Sequence, residues 1–436
     1  MTKTPEQEAR QTIDIMLSQS GWDVQDVGNV NIHAKKGVAI REFPLNQGHG
    51  FADYLLYIDG KAAGVIEAKK AGNTLTGVEI QSDKYKTGLP EDLPAWFRPL
   101  PFCYQSTGVE TRFTNDLDPD PRSRDVFSFH RPETLEEWIN EESFVSLDKV
   151  AETQVPFGKP STLNLRLKQM PELIEEGFWP AQIIAVKNLE TSLAQNRPRA
   201  LIQMATGSGK TFTAISFIYR LIKFAKARRV LFLVDRGNLG RQTLKEFQQY
   251  VSPYNNYKFS EEYIVQRLTS NTVDKSARVC ISTIQRLYSM LRGEELAENE
   301  EEQSVQGLEN VYDKVPPIKY NPIIPIETFD FIITDECHRS IYNLWRQVLD
   351  YFDGYIIGLT ATPSKQTFGF FNQNLVMEYG HEEAVADGVN VNYDVYRIKT
   401  QITEHGSTVE SGYYVDVRER ETRQVRWEQL DENLEY

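Results

Sequence analysis

One seven-residue segment, Ala205-Thr206-Gly207-Ser208-Gly209-Lys210-Thr211, constrains the fold of this 436-residue chain more than any other. The residues just before it are mostly apolar and short enough in number for a buried strand, and apolar residues recur after it at helical spacing. A glycine-rich turn between a strand and a helix presents free backbone N–H groups and the positive end of the helix dipole to a phosphate. The segment therefore predicts a nucleotide-binding turn in an α/β fold.

The residue types within this turn suit a nucleotide with bound magnesium. We expect Lys210 to reach the β- and γ-phosphates and the Thr211 hydroxyl to hold Mg²⁺. The strict phosphate-loop pattern has a glycine where this chain has Met204, but the Gly-Ser-Gly-Lys-Thr core is intact. A glycine-rich turn that binds nothing is the alternative. The expected nucleotide-binding residues are Thr206, Gly207, Ser208, Gly209, Lys210 and Thr211.

Two further segments supply the carboxylates and hydroxyls that nucleotide hydrolysis needs. The apolar segment 329–334 leads into Asp335 and Glu336, and carboxylates at the C-terminal end of a parallel strand face the ligand crevice. Asp335 is expected to hold Mg²⁺ and Glu336 to polarise the attacking water. The apolar segment 356–359 leads into Thr360 and Thr362, whose hydroxyls are expected to relay loss of the γ-phosphate to bound nucleic acid. Strands alternating with helices indicate a parallel, doubly wound sheet.

The segments Gly-Ser-Gly-Lys-Thr, Asp-Glu-Cys-His and Thr-Ala-Thr, in this order, resemble the first lobe of superfamily 2 helicase-type motors. The resemblance implies that Gln182, which precedes Lys210 by 28 positions, reads the adenine edge; a surface glutamine is the alternative. It also implies that Arg236 and Thr283 contact the DNA backbone, the alternative for each being a helix cap or a surface residue.

The segment 50–69 reads as a β-hairpin. Two strand-like stretches flank Asp59-Gly60, which is a strong turn signal. Glu67 and Lys69 are two residues apart and project from one face of the second strand, and Asp53 on the first strand can reach that face.

Two carboxylates and the Ala68 carbonyl form an oxygen donor set that suits Mg²⁺. Lys69 would then orient or deprotonate a water that attacks a phosphodiester. A solvated strand face is the alternative interpretation of the same pattern.

Flanking residues extend this pattern. Glu8 lies in the first turn of an amphipathic N-terminal helix, and Gln81 and Tyr85 are four apart and share a helix face. An acidic helix residue, Asp, Glu-x-Lys and Gln-x-x-x-Tyr together resemble the nuclease domain of type I restriction enzymes over about residues 1–130. The resemblance implies a metal site made by Glu8, Asp53, Glu67 and Lys69, with Gln81 and Tyr85 supporting DNA placement. A solvated carboxylate that complements the helix dipole is the alternative for Glu8.

Composition sets broad limits on location and ligands. The formal net charge of −14 does not indicate nucleic-acid binding, but local basic patches can still provide it. The three cysteines are far apart and form no metal-ligand pair or disulfide framework. No apolar run approaches the roughly 20 residues that span a bilayer, and the N-terminal residues do not read as a signal peptide. A cytoplasmic protein without membrane contact is expected.

The expected architecture is α/β, with an N-terminal PD-(D/E)xK-type nuclease domain followed by a RecA-like doubly wound helicase lobe. We predict a nuclease domain at 1–150, a superfamily 2 motor lobe at 151–392, and the start of a truncated second lobe at 393–436. Residues 294–327 are acidic and proline-rich, and they are expected to form an exposed insertion in the motor lobe.

This combination resembles the restriction (motor) subunit of a type I restriction–modification enzyme. The resemblance implies an ATP-dependent DNA endonuclease and ATPase that uses ATP and Mg²⁺ to translocate double-stranded DNA and cut it when it is unmethylated. Methylation and specificity subunits are the implied partners. Because the second lobe supplies an arginine to the γ-phosphate in such motors, these residues alone are expected to bind ATP but hydrolyse it slowly.

Two alternatives remain. One is a repair or defence motor whose N-terminal domain binds DNA without cutting it. The other is a non-catalytic scaffold in which ATP is a structural ligand.

Overall fold

The computed structural model describes residues 5–72, 75, 84–141, 161–296, 301, 316–339 and 343–393, together with four short strands beyond residue 407. Met1–Val389 form one compact unit and Asn390–Tyr436 form another. The first unit contains two seven-stranded sheets. The second contains two antiparallel strand pairs. Because both sheets lie in one unit and residues 142–160 are outside the described part, the domain boundary near residue 150 stays a prediction.

The N-terminal sheet has the strand order β1-β2-β3-β4-β5-β6-β7. Neighbouring strands are parallel in the pairs β1–β2 and β4–β5 and antiparallel elsewhere. Helix α1 (Pro5–Gln19) precedes the sheet and buries its apolar stripe, and α2 (Pro132–Asn140) follows it. The strand bounds are Asp23–Asp26, Gly37–Pro44, Phe51–Ile58, Lys61–Ala68, Phe102–Ser106, Thr111–Asn115 and Arg124–Asp125.

The predicted hairpin is confirmed as β3 and β4. Its turn residues Asp59 (φ 47°) and Gly60 (φ 74°) both have the left-handed backbone that a two-residue hairpin turn requires. The register pairs Tyr54 with Ile66. Continuing this antiparallel register by one residue places Asp53 opposite Glu67, so the two carboxylates lie on the same face of the sheet.

The second sheet is entirely parallel, with the order β10-β11-β9-β12-β13-β8-β14. Its inner strands are continuous apolar runs, as expected when both faces of a parallel sheet are covered. The chain crosses the sheet in one direction from β8 through β9 to β10 and in the other from β10 through β11, β12 and β13 to β14, so right-handed crossovers place helices on both faces. The predicted parallel α/β lobe is confirmed. The strand bounds are Arg199–Met204, Val230–Val234, Ile264–Arg267, Ala277–Thr283, Phe331–Thr334, Tyr355–Thr360 and Leu375–Tyr379.

Nine helices of the described residues pack with this second sheet. The first of them, α3, is capped by Thr162, whose hydroxyl accepts a hydrogen bond from the Leu165 N–H. None of the helices in the described residues is long and apolar enough to cross a membrane. The helix bounds are Leu163–Lys168 (α3), Pro180–Ala194 (α4), Lys210–Lys223 (α5), Gly237–Gln249 (α6), Phe259–Glu262 (α7), Ile284–Arg292 (α8), Asn343–Tyr351 (α9), Lys365–Phe370 (α10) and His381–Ala386 (α11). In the second unit, β15 (Thr408–Val409) pairs with β18 (Leu434–Glu435), and β16 (Tyr414–Arg418) pairs with β17 (Val425–Gln429).

The expectation that residues 294–327 are exposed is wrong for the C-terminal part of that segment. Ile318, Ile324 and Ile326 are buried in the core shared with the N-terminal sheet. Glu327 is also buried, and it accepts a hydrogen bond of 2.9 Å from the Thr134 hydroxyl in α2. The expectation rested on the average composition of the segment, which is acidic and proline-rich. Its three buried isoleucines remove apolar surface from water, and this burial favours an ordered position for their part of the chain.

A buried carboxylate joins the two sheets. Asp353, just before β13, accepts two hydrogen bonds from Arg124 (2.7 and 2.8 Å) and lies 2.8 Å from His130 Nε2. His130 Nδ1 is 2.7 Å from the hydroxyl of Tyr104 on β5. Burial disfavours the charged carboxylate, but the charge of Arg124 and the hydrogen bonds outweigh burial and hold the Asp353 pKa well below its usual range.

Replacing Asp353 should therefore destabilise the whole first unit. In Asp353→Asn, Arg124 stays buried without its counter-charge, and we expect the free energy of unfolding to fall by about 3–5 kcal/mol. Urea denaturation of wild type and variant at neutral pH measures this loss. Asp125→Asn is the matched control, because that carboxylate pairs with Arg112 but is 84% exposed, and it should change stability little.

The pH dependence gives an independent check. A lowered carboxylate pKa contributes stability that is present above the unfolded-state value of 3.8 and is lost as the pH falls below it. Wild type should lose more stability than Asp353→Asn between pH 5 and the acid limit of folding. Equal losses would contradict the assignment of this carboxylate as a stabilising buried charge.

Candidate nucleotide-binding and nuclease sites

The phosphate-loop candidate lies between β8 and α5, at the carboxyl edge of the parallel sheet. Gly207 (φ 84°) and Gly209 (φ 81°) have left-handed backbone conformations that residues with a side chain rarely adopt. The buried Ser208 hydroxyl donates to the Ala205 carbonyl at 2.6 Å, which tightens the turn. The loop therefore closes as a tight turn directly before the N-terminus of α5, the position at which a helix binds an anion.

Lys210 is the first residue of α5 and its ammonium lies inside this curl. Its Nζ is 3.3 Å from the Met204 carbonyl and 3.5 Å from the Ala205 carbonyl, which are long and weak hydrogen bonds. A triphosphate would offer this ammonium stronger, charged acceptors. Thr211 follows in the first turn of α5 and is half-buried. The loop, Lys210 and Thr211 thus fit the phosphates and the Mg²⁺ of a nucleotide.

Asp335 and Glu336 follow β12, which is separated from β8 by β13 in the same sheet. Burial, then the neighbouring charge of Glu336, raises the Asp335 pKa to about 6, while Lys210 acts in the opposite direction. The charge of Lys210 acts on Asp335, so the two side chains lie near each other at the carboxyl edge of the sheet, where a ligand crevice is expected. A carboxylate with this pKa is mostly ionised at neutral pH, and a bound cation would favour the ionised form further.

Glu336 has a strained backbone (φ 49°), and its N–H donates to the Asp335 carboxylate at 3.0 Å. His338 Nδ1 lies 3.5 Å from the Glu336 carboxylate and 3.0 Å from the Thr360 hydroxyl. The Thr362 N–H donates to the same hydroxyl at 3.1 Å. His338 belongs to the Asp-Glu-Cys-His segment, but no role was expected of it from the sequence. In the structure it joins the carboxylate segment to the Thr-Ala-Thr segment.

Gln182 lies beside the phosphate loop and is 4% exposed, so it is not a surface glutamine. Its side-chain nitrogen donates to the Ser208 carbonyl at 3.0 Å, and its side-chain oxygen accepts from the Trp179 N–H at 3.0 Å. Both ends of this amide are thus hydrogen-bonded to the protein backbone. The contact with adenine stays a prediction.

The residues predicted to contact DNA fall into two groups. Arg236, next to the start of α6, and Thr362 are exposed. Thr283 and Thr360 are buried, and the Thr283 hydroxyl caps α8 by accepting from the Arg286 N–H at 3.2 Å. The cap interpretation of Thr283 therefore accounts for its position. Of these four motor-lobe residues, Arg236 and Thr362 reach the surface.

The nuclease candidate occupies the open ends of β3 and β4. The Asp53 carboxylate accepts a 2.9 Å hydrogen bond from the Ala68 N–H, and the fully buried Glu67 lies 2.6 Å from the Lys69 ammonium. Partial burial disfavours the charged form of Lys69, but the hydrogen bond and charge of Glu67 outweigh it, so the Lys69 pKa is raised. A lysine with a raised pKa keeps its proton at neutral pH, which favours orienting a water over deprotonating it.

The structure places Arg10, rather than Glu8, against Asp53. Arg10 on α1 donates to the second Asp53 oxygen at 2.8 Å and also pairs with Glu42. Glu8 is exposed in the first turn of α1. No group of three or more His, Cys, Asp or Glu side chains in the described part of the chain is arranged to hold a metal ion, so Glu8, Asp53 and Glu67 are not gathered as predicted. Arg10 was missed because an ion pair across 43 residues leaves no local pattern.

The remaining members of the predicted nuclease set are Tyr85 and Gln81. Tyr85 is buried in a small cluster with Leu55 and Val65, which project from the same face of the hairpin as Asp53 and Glu67, and its charge interaction with Lys69 places it near the site. Gln81 lies outside the described residues. Asp53, Glu67 and the Ala68 carbonyl remain a donor set of hard oxygens that fits a divalent cation, which would replace Arg10 at Asp53.

Comparison with known proteins finds family models that match both the N-terminal sheet and the parallel lobe. A family model described as "Type III restriction enzyme, res subunit" matches residues 177–365, which include the phosphate loop and Asp335. A second, described as "Type I restriction enzyme EcoKI endonuclease subunit second domain", matches residues 28–96, which include Asp53 and Glu67. The parallel sheet and its phosphate loop define a helicase-like nucleotide-binding lobe.

Curated relatives identify the type of protein to which the chain is related. The EcoKI endonuclease subunit of Escherichia coli (strain K12), a type I restriction enzyme, is 26% identical over 94% of this chain and 37% of its own length. The EcoAI endonuclease subunit of Escherichia coli is 30% identical over 52% of this chain and 24% of its own length. The chain is thus similar to type I restriction enzyme endonuclease subunits and spans less than two fifths of the length of these relatives.

One solved structure is also similar to part of the chain. A fragment assigned as the HsdR subunit of a type I restriction enzyme from Vibrio vulnificus YJ016 matches with 21% identity and a TM-score of 0.33, over 89% of this chain and 61% of that one.

Asp335 gives a test of the nucleotide site that needs no ligand. Because burial raises its pKa to about 6 from 3.8, the folded protein favours protonation, and ionised Asp335 destabilises it at pH 7.5. We expect Asp335→Asn to raise the free energy of unfolding by about 1–3 kcal/mol at pH 7.5. The gain should shrink as the pH falls through 6 and vanish below 3.8. Thermal or urea unfolding from pH 8 to 4 measures it, and a gain independent of pH would refute the shift.

Proposed function

We propose that this chain forms the nuclease and first motor lobe of a type I restriction endonuclease subunit, which cuts unmethylated double-stranded DNA after ATP-driven translocation. One observation carries the proposal. A phosphate loop with its carboxylate partner and a hairpin bearing Asp53, Glu67 and Lys69 occur together in one compact unit. A motor that drives DNA past a nuclease needs both sites on one body.

On the motor side, the backbone of residues 205–209 would hold the phosphates and Lys210 would neutralise the charge on the β- and γ-phosphates. Thr211 and Asp335 would hold Mg²⁺, and Glu336 would orient the attacking water. Bound MgATP supplies a phosphoanhydride bond and its activating cation. His338 keeps Glu336 in place and links it to Thr360, so a shift of one segment moves the other.

On the nuclease side, we infer a PD-(D/E)xK-type domain in which Asp53, Glu67 and the Ala68 carbonyl hold Mg²⁺. The metal would stabilise charge on the phosphodiester. Lys69 keeps its proton and would hold the attacking water and the phosphate oxygen in place. Arg10 would leave Asp53 when the metal binds, and its guanidinium then remains close enough to contact the DNA backbone.

Exposed Arg236 and Thr362 are the proposed DNA contacts of the motor lobe. Gln81 and Tyr85 are proposed to support DNA placement, and buried Tyr85 would do so through Lys69. Methylation and specificity subunits are the proposed partners, since none of the assigned residues reads a base edge. This function also places the chain in the cytoplasm, where such a complex meets DNA.

The second candidate is a repair or defence motor whose N-terminal domain binds DNA without cutting it. The observation that favours it is the ion pair of Arg10 with Asp53, together with the exposed position of Glu8. In that case Arg10 would stay on Asp53 and no metal would bind there.

DNA cleavage by the complete complex decides between the two. Unmethylated circular DNA is incubated with the full-length subunit, its methylation and specificity partners, Mg²⁺ and ATP. Asp53→Ala should lower cleavage by at least about a hundredfold and leave DNA-stimulated ATPase activity unchanged. Lys210→Ala should abolish both activities.

Asp59→Asn serves as the control, because Asp59 lies in the turn of the same hairpin and asparagine tolerates its left-handed backbone. This variant should cut and hydrolyse ATP like wild type. Normal cleavage by Asp53→Ala would remove the nuclease assignment and leave the DNA-binding motor as the function.

A further inference from the structure

Arg10 joins two carboxylates at the open end of the hairpin. The register of β2 and β3 leaves Glu42 and Asp53 opposite each other, between two regular pairs, and like charges in this arrangement repel. The Arg10 guanidinium relieves the repulsion, because one of its nitrogens donates to Asp53 at 2.8 Å and another donates to Glu42. Partial burial disfavours the charged guanidinium, but the hydrogen bonds and charges of both carboxylates outweigh burial and raise the Arg10 pKa.

Contacts between α1 and the sheet hold Arg10 in this place. Asp14, one turn further along α1, accepts hydrogen bonds of 3.0 to 3.2 Å from the Arg41 guanidinium and one of 2.8 Å from the Tyr54 hydroxyl. The same hydroxyl lies 3.2 Å from the Arg10 carbonyl. These contacts fix this turn of α1 on β2 and β3, so the Arg10 side chain starts from a defined position beside Asp53.

The guanidinium can leave Asp53 without leaving Glu42. The Glu42 side chain is 65% exposed, whereas that of Asp53 is 17% exposed. A cavity of about 290 Å³ opens beside them, and the residues that line it include Arg10, Asp26, Arg41, Glu42 and Asp53. A move into this cavity would break the bond to Asp53 and keep the pair with Glu42. Because ion pairs between partly exposed side chains are weak, the exchange costs little.

We propose that Arg10 competes with the metal for Asp53: it occupies Asp53 while the hairpin site is free of metal, and it moves to Glu42 alone when a divalent cation binds. The proposal rests on the proposed nuclease function and specifies how one residue regulates metal binding at that site. Glu42 lowers the cost of the exchange, because it keeps a partner for the guanidinium. The metal affinity of the hairpin is then set by the ion pair that the metal replaces.

Removal of the Arg10 charge should tighten metal binding. Isothermal titration calorimetry of the 436-residue chain with Mn²⁺ measures it, and binding at the hairpin is the part of the titration that disappears in Asp53→Ala. Arg10→Gln should bind Mn²⁺ about threefold to tenfold more tightly than wild type, because the metal no longer displaces a cation. Lys36→Gln is the control: it removes a cation that pairs with Glu136 beside the opposite end of β2, and it should leave the affinity unchanged.

Glu42 tests the second half of the proposal. Glu42→Gln removes the carboxylate to which Arg10 moves, so it should weaken Mn²⁺ binding when Arg10 is present. The double variant Arg10→Gln/Glu42→Gln should bind Mn²⁺ like Arg10→Gln, because no guanidinium then has to be accommodated. An equal loss in both backgrounds would mean that Glu42 acts on the metal directly, and it would overturn the exchange. Thermal unfolding without metal checks that each variant is folded.

The outcomes separate this proposal from the proposed function. If wild type binds Mn²⁺ through Asp53 and Arg10→Gln binds it no more tightly, the competition is wrong and the metal site stands. If neither wild type nor Arg10→Gln shows binding that depends on Asp53, the metal site itself fails, and the role of Arg10 fails with it.

Discussion

The buried carboxylate of Asp353 is the interaction on which the arrangement of the first unit depends. An ion in a protein interior costs several kcal/mol of solvation, roughly, unless a partner and hydrogen bonds compensate it. Arg124 and His130, both from the N-terminal sheet region, supply that compensation to a residue of the motor lobe. Around them the two sheets share one apolar core, in which the rings of Phe127 and Tyr351 lie 4.8 Å apart. Separating the sheets would expose both the charges and the core.

The ion pair of Asp353 with Arg124 is also connected to the nucleotide site by a single strand. Asp353 lies just before β13, and β13 ends at Thr360, whose hydroxyl bonds His338. On the other side, Tyr104 of β5 bonds His130, and β5 is the neighbour of β4, which carries Glu67. Both catalytic candidates are therefore one strand away from the same buried ion pair. A displacement of the Thr-Ala-Thr segment would act on the Asp353 ion pair through β13.

Sequence patterns predicted the local features and missed the contacts between distant residues. The phosphate loop, the hairpin and the parallel sheet follow from spacing, glycine placement and apolar periodicity, which act over a few residues. Arg10 against Asp53 and Asp353 against Arg124 join residues far apart in the chain, and no periodicity marks them. Gln182 shows a second limit: its partners are backbone atoms of Trp179 and Ser208, and backbone groups carry no residue identity that a motif can detect.

Burial distinguishes the two candidate sites physically. In the lobe, burial raises the Asp335 pKa to about 6, so a cation beside this poorly solvated carboxylate relieves a cost that the folded protein otherwise bears. At the hairpin, Asp53 and Glu67 already have cationic partners, Arg10 and Lys69, and Arg10 also pairs with Glu42. A divalent cation at Asp53 would therefore have to displace Arg10, so the proposed metal binding at the hairpin is opposed by an ion pair that the folded chain already makes.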